Sequence, residues 1–120
     1  MTALAEVLAP DVELPSPLFR SMTFKGRADV VALFGAVYAT VSKPSWEPAV
    51  GEGRIWFAIS EARVGGVRIS DAMQFELDAQ GLIRRIRPHL RSLLGILVFA
   101  VLVPPRLASR PGVVLRALRA

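Results

Sequence analysis

Gly65-Gly66 is the feature that most restricts how this chain can fold. It separates two runs rich in β-branched and aromatic residues, Arg54–Val64 and Val67–Leu77. A two-residue link between strands calls for a primed turn, whose central residues have positive φ, and glycine adopts that without a steric penalty. The turn predicts a hairpin of known register. Val64 faces Val67, Ala62 faces Ile69, Ser60 faces Asp71, Ala58 faces Met73 and Trp56 faces Phe75. A third strand, Leu82–Arg91, follows the turn Asp78-Ala79-Gln80-Gly81. Pairing Leu77 with Leu82 sets Met73 against Ile86, Asp71 against Pro88 and Ile69 against Leu90.

Opposed residues share a face of the sheet, so the register sorts the side chains. One face is apolar: Trp56, Ala58, Ala62, Val64, Ile69, Met73, Phe75, Leu77, Ile86 and Leu90, with Ser60 and Asp71 in its middle. The other carries Glu61, Arg63, Arg68, Gln74, Glu76, Arg85, Arg87, His89 and Arg91, with Ile55, Phe57 and Ile59 among them. The apolar face needs a cover. Val30, Leu33, Phe34, Val37, Tyr38 and Val41 recur at helical spacing after Gly26 and predict a helix with one apolar stripe that ends at Lys43-Pro44. Asp29 falls in its first turn, where a negative charge suits the helix dipole. Ahead of it, Thr2 to Ala9 reads as a short helix and Val12 to Leu14 as extended, with Pro15-Ser16-Pro17 holding the backbone out of the helical region. The expected class is α+β, a curved antiparallel sheet wrapped around helices.

Composition excludes several chemistries. The 120 residues suit one domain with one core. With 52% apolar residues, the chain is not disordered as a whole. It has no cysteine, which removes disulfides, thiolate metal sites and a thiol nucleophile. His89 is the one histidine, so a histidine metal cluster is excluded and no cofactor is expected. There is no G-x-S-x-G elbow, and Gly51-Glu52-Gly53 lacks what a phosphate loop needs.

Several short motifs, in order and spacing, carry a family resemblance over roughly residues 4–92. Leu8-Ala9-Pro10-Asp11-Val12-Glu13-Leu14, Ser16-Pro17 and Phe24-Lys25-Gly26-Arg27-Ala28-Asp29-Val30 resemble the opening of SnoaL-like proteins of the nuclear-transport-factor-2-like superfamily. Val64-Gly65-Gly66, Asp71-Ala72-Met73, Leu77-Asp78 and Gly81-Leu82-Ile83 resemble that family's hairpins. The resemblance implies a cone-shaped fold, a pocket between sheet and helices, and frequent dimers. It also implies a range of activities that includes polyketide cyclases, a steroid isomerase, an epoxide hydrolase and dehydratases, beside members without catalysis. Two departures bear on activity. Ser16 precedes Pro17 where the isomerase branch has an aspartate base, and Arg84 to His89 contains no acid where the cyclase branch has one.

Asp71 is then the leading chemical candidate. An apolar setting raises a carboxyl pKa toward the range useful for acid–base chemistry, while a purely structural use would have it satisfied by Ser60 or a backbone group. Tyr38, Trp56, Ser60, Met73 and Phe75 join it as candidate ligand contacts in a pocket for a small apolar organic molecule. His89 is expected on the arginine-bearing face. The first reading is a non-catalytic binding or accessory protein. The alternatives are a cofactor-independent isomerase, cyclase or dehydratase using Asp71, and a peripheral membrane protein.

The last alternative comes from residues 93–120, read as a C-terminal helical extension of the cone formed by residues 1–92. Ser92 to Pro105 carries no charge, and in Leu93–Val103 the single non-apolar residue is Gly95. As a helix those residues span about 16 Å, half of a ~30 Å hydrocarbon core, so they do not cross a bilayer. A helix apolar all round calls for burial all round. Packing on the cone and a partner subunit, insertion at a membrane surface, or plugging the pocket would each provide it, and a homodimer contact is favoured here over a weak membrane contact. Ser109-Arg110-Pro111 can start a further short helix. Charge is polarised. Residues 1–78 hold all ten acids and seven bases, whereas residues 79–120 hold eight arginines and no acid. No aromatic side chain follows Phe99, so stacking platforms for nucleic acid are missing and no nucleic-acid partner is expected. Met1 to Pro10 lacks a basic n-region and contains Glu6, so it does not read as a signal peptide and a cytoplasmic location is expected.

Overall fold

The computed structural model describes residues 2–16 and 22–119. In chain order the elements are α1 (Thr2–Val7), β1 (Leu8–Pro15), β2 (Thr23–Lys25), α2 (Arg27–Thr40), β3 (Val41–Trp46) and β4 (Val50–Glu52). They continue with β5 (Ile55–Val64), β6 (Val67–Leu77), β7 (Ile83–Arg87), β8 (Leu90–Arg91), α3 (Leu93–Leu107) and α4 (Pro111–Leu118). One curved, open sheet runs in the order β2-β1-β7-β6-β5-β3, with β4 beside β5 and β8 beside β6. All its pairs are antiparallel except β1–β7. The class is α+β, as the sequence predicts.

The Gly65-Gly66 hairpin has the predicted register through all five predicted pairs, Val64 with Val67 to Trp56 with Phe75. Both glycines have positive φ, 54° and 79°. The next hairpin differs. Asp78 caps its own loop, with one carboxylate oxygen accepting from the backbone N–H groups of Gln80 and Leu82, both at 2.9 Å. The loop takes in Leu82, Leu77 pairs with Ile83, and a bulge adds a second residue, so Phe75 rather than Met73 faces Ile86 and Leu90 rather than Pro88 faces Asp71. A slip of two preserves which face each side chain occupies, because the side-chain period of a strand is two. Ile86 is fully buried and Leu90 still points inward beside Asp71.

Two boundaries are corrected. The first helix stops at Val7, because Leu8 and Ala9 enter β1 and are fully buried there. The second helix stops at Thr40, whose hydroxyl donates back to the Ala36 carbonyl at 2.8 Å, and Val41 is already extended. Residues 41–46 and 50–52 form strands that the sequence does not predict. Pro44 is tolerated in β3 because this strand ends the sheet order and its register breaks between Ser42 and Ser45, with Lys43 at φ 50°. Ser16 follows an extended Pro15 as predicted, whereas Pro17 lies outside the described residues.

Helices α2 and α3 cover the concave face, and one core joins Leu8, Val12 and Val30 to Val64, Ile86, Phe99 and Ala117. Gly95 lets α3 approach the sheet: a Cβ there would lie 2.7 Å from the Arg68 carbonyl oxygen. The Ser92 hydroxyl caps α3 by accepting from the Gly95 N–H at 3.2 Å. The end of the chain is tied down by charge. Arg116 on α4 donates two parallel hydrogen bonds, each 2.8 Å, to the buried carboxylate of Asp29 at the start of α2. Among the described residues no single helix is long and apolar enough to cross a membrane.

Candidate functional site

Strands β5 and β6 carry Ser60 and Asp71 as an opposed pair on the concave face, and α2 carries Leu33, Phe34, Val37 and Tyr38 above them. Between the two layers lies a cavity of about 640 Å³. That is within the range of sites for small organic molecules. Its walls are overwhelmingly apolar. Leu14 and Phe24 close one side, and Phe99, Val103, Leu107 and Val114 from the C-terminal helices close another. The polar lining comes from a few side chains: Asp71, Glu61, Ser16, Ser60, Ser70, Tyr38 and Trp46.

Asp71 sits at the centre of the sheet wall. Its Oδ1 accepts the backbone N–H of His89 at 3.0 Å, an arrangement made possible by the break between β7 and β8 at Pro88. Burial pushes its carboxyl up to about 6, against the opposing pull of that N–H and of the His89 side chain. Burial likewise raises the Tyr38 phenol, with a further push from the Asp71 charge. The Trp46 indole opposes this by hydrogen-bonding the hydroxyl. Because an indole N–H only donates, the Tyr38 O–H keeps its own proton available for an acceptor in the cavity.

Of the six side chains expected at the pocket, Tyr38, Ser60, Asp71 and Met73 line the cavity. Trp56 and Phe75 do not. They form the last pair but one at the open end of the hairpin, where the Trp56 Nε1–H turns to the Gly53 carbonyl at 3.0 Å and Phe75 packs on the core beside Ile86. His89 is exposed, with Nδ1 3.1 Å from the Ala72 carbonyl oxygen, and hydrogen-bonds Asp71 through its backbone N–H. Ser16 lies on the cavity wall. Trp46 escapes sequence reasoning because β3 has no alternating pattern. Among the described residues no group of three or more acids and histidines is placed to hold a metal ion.

No family model matches the sequence, and no curated protein matches it either. Solved structures do. A bacterial protein with a cystatin-like fold from Silicibacter pomeroyi DSS-3 superimposes with a TM-score of 0.88 at 23% identity, over 99% of this chain and 83% of the other. A steroid delta-isomerase from Pseudomonas aeruginosa gives 0.82 at 21% identity, over 92% and 82%. A Jannaschia sp. CCS1 protein assigned as a SnoaL-like polyketide cyclase gives 0.65 at 13% identity, over 85% and 76%. The curved open sheet and its covering helices thus agree with the fold that the motifs imply, and the chain adopts a cystatin-like fold.

Proposed function

We propose that this protein binds a small, largely apolar organic molecule whose one polar group is anchored by Asp71 and Tyr38. The observation that carries the reading is the cavity: about 640 Å³ with mostly apolar walls, and with Ser60 and Asp71 on the sheet and Tyr38 on α2 among its few hydrogen-bonding groups. Apolar contact supplies affinity in such a site, and the few polar groups fix orientation. Ser16 in place of an acid, and the absence of any acid from Arg84 to His89, favour binding over turnover. Native mass spectrometry of freshly purified protein, with displacement of an environment-sensitive apolar dye, tests it. A reproducible small adduct, or saturable dye binding that Ala62→Phe abolishes, supports the reading. Dye binding indifferent to that cavity-filling change refutes it.

A second reading is favoured by a specific observation, the carboxyl of Asp71 held near 6 in an apolar wall beside the Tyr38 hydroxyl. A base tuned to that range can move a proton between two carbons of a bound ketone. Asp71 would take a proton from the carbon between the carbonyl and an isolated double bond, and return it to the far carbon of that bond. The double bond then ends in conjugation, and no atom is gained or lost. Tyr38 would donate its hydrogen bond to the carbonyl oxygen as charge develops there. The likeness to a steroid delta-isomerase makes a β,γ-unsaturated ketosteroid the first substrate to try. Turnover should rise with pH through about 6 and vanish in Asp71→Asn. Unchanged turnover in that variant removes Asp71 from the chemistry.

A further inference from the structure

We propose that the outward face of α3 docks on an anionic lipid surface, with the mouth of the cavity opening beside the contact. Leu94, Leu97 and Val101 are 60%, 55% and 69% exposed. They follow one another at helical spacing, and exposed Pro104, Pro105 and Ala108 continue the same stripe. This face of α3 carries no charge over about 21 Å of helix. Arginines stand at both ends, Arg91 before the helix, Arg106 in its last turn and Arg110 after it, all exposed. A basic-flanked apolar face on a helix too short to span a bilayer suits one that lies in the plane of the interface.

Charge decides between this occupant and a second copy of the chain. A two-fold contact brings the same patch together from both subunits. Residues 79–120 contain eight arginines and no acid, so α3 against α3 would bring like charges together. Glu61 shares a shallow cleft with Arg68 and Arg91, whereas at the other end Arg106 and Arg110 take part in none of the ion pairs among the described residues. Anionic headgroups supply the missing opposite charge, and their acyl region accepts the leucines. Pro104 and Ala108 belong to the stripe and also line the cavity, together with Pro111 of the α3–α4 corner. An apolar ligand could therefore pass from the bilayer to the cavity without crossing water; that last step rests on the binding function proposed above, whereas the lipid contact does not.

Vesicle flotation tests the contact, using phosphatidylcholine alone and phosphatidylcholine mixed with phosphatidylglycerol, at low and high salt. The wild type should float with the anionic vesicles about tenfold more tightly than with the neutral ones, and lose that advantage in salt. Leu97→Gln with Val101→Gln should cost about tenfold, and Arg106→Gln with Arg110→Gln about tenfold with a flatter salt dependence. All four side chains are exposed, and a thermal melt checks that the variants fold. Absence of wild-type binding at low salt, equal binding to both vesicles, or binding unchanged in the variants overturns the proposal. So does a dimer in solution that the Leu97/Val101 variant converts to monomer without any vesicle binding. Dye binding to the cavity, measured on the same variants without lipid, should be unchanged. Its failure in the wild type would count against the cavity reading and leave the lipid contact standing.

Discussion

Replacing Asp71 by Asn should stabilise the protein at pH 8 and fail to do so at pH 3.5. The Asp71 carboxyl lies at about 6 in the folded protein against 3.8 for a free side chain, chiefly because the cavity wall desolvates it. At about 1.4 kcal/mol for each power of ten in the acid constant, the ionised form costs the folded state about 3 kcal/mol. The sign follows from linkage. Below 3.8 the carboxyl is neutral in both states and carries no cost. As pH rises through about 6 the folded state must ionise too, and the full cost is present above it. Asn keeps an oxygen to accept the His89 N–H but never ionises. Its extra N–H₂ in an apolar wall costs about 1 kcal/mol at every pH. The expected gain is therefore about 2 kcal/mol at pH 8, and the expected change about −1 kcal/mol at pH 3.5. Urea unfolding at both pH values measures this. With a slope of about 1.5 kcal/mol/M, the variant's midpoint relative to wild type should move by about 2 M between the two pH values. The remaining acids titrate alike in both proteins and cancel. A midpoint difference that does not change with pH would refute the claim that burial of charge raises this carboxyl.

Three further perturbations probe the scaffold. Gly95→Ala places a Cβ against the Arg68 carbonyl and should lower the melting temperature by several degrees, about 1–3 kcal/mol, while an unchanged melt would mean that α3 does not rest on β6 there. Ile86→Ala removes a fully buried side chain between β6 and β1, and urea unfolding should report a loss of about 3 kcal/mol. Arg116→Ala leaves the buried Asp29 carboxylate without its two-fold partner, so amide exchange in α4 should quicken by about tenfold while β5 and β6 exchange as before. Equal exchange in α4 would show that apolar packing alone holds it.

Local chemistry that acts within a few residues was legible in the sequence. Two adjacent glycines demand a primed turn, the turn sets the register, and the register puts Ser60 opposite Asp71 on the apolar face. The helical recurrence of Val30, Leu33, Phe34, Val37 and Tyr38 likewise places α2 over that face, because a stripe of apolar side chains has to be buried. The absence of cysteine, the polarity of charge and the unrelieved apolarity of Leu93–Val103 are properties of the chain in any conformation.

Contacts between residues distant in sequence waited for the tertiary structure. Nothing near Asp29 in sequence indicates a partner 87 residues away, yet Arg116 fixes α4 against the start of α2 and so forms one side of the cavity. The strand from Val41 to Trp46 has the composition of a loop and becomes a strand because β5 offers it hydrogen bonds. Trp46 thereby reaches the Tyr38 hydroxyl, while Trp56, on a stronger strand, turns away to Gly53. The His89 N–H on Asp71 depends on a two-residue slip set by the Asp78 turn and on Pro88, which cannot donate to a ladder. The residue types and the face of Asp71 were set locally; its burial, its partner and the volume in front of it arise only when α2, α3 and α4 close over the sheet, because desolvation belongs to the assembled interior and to no single segment.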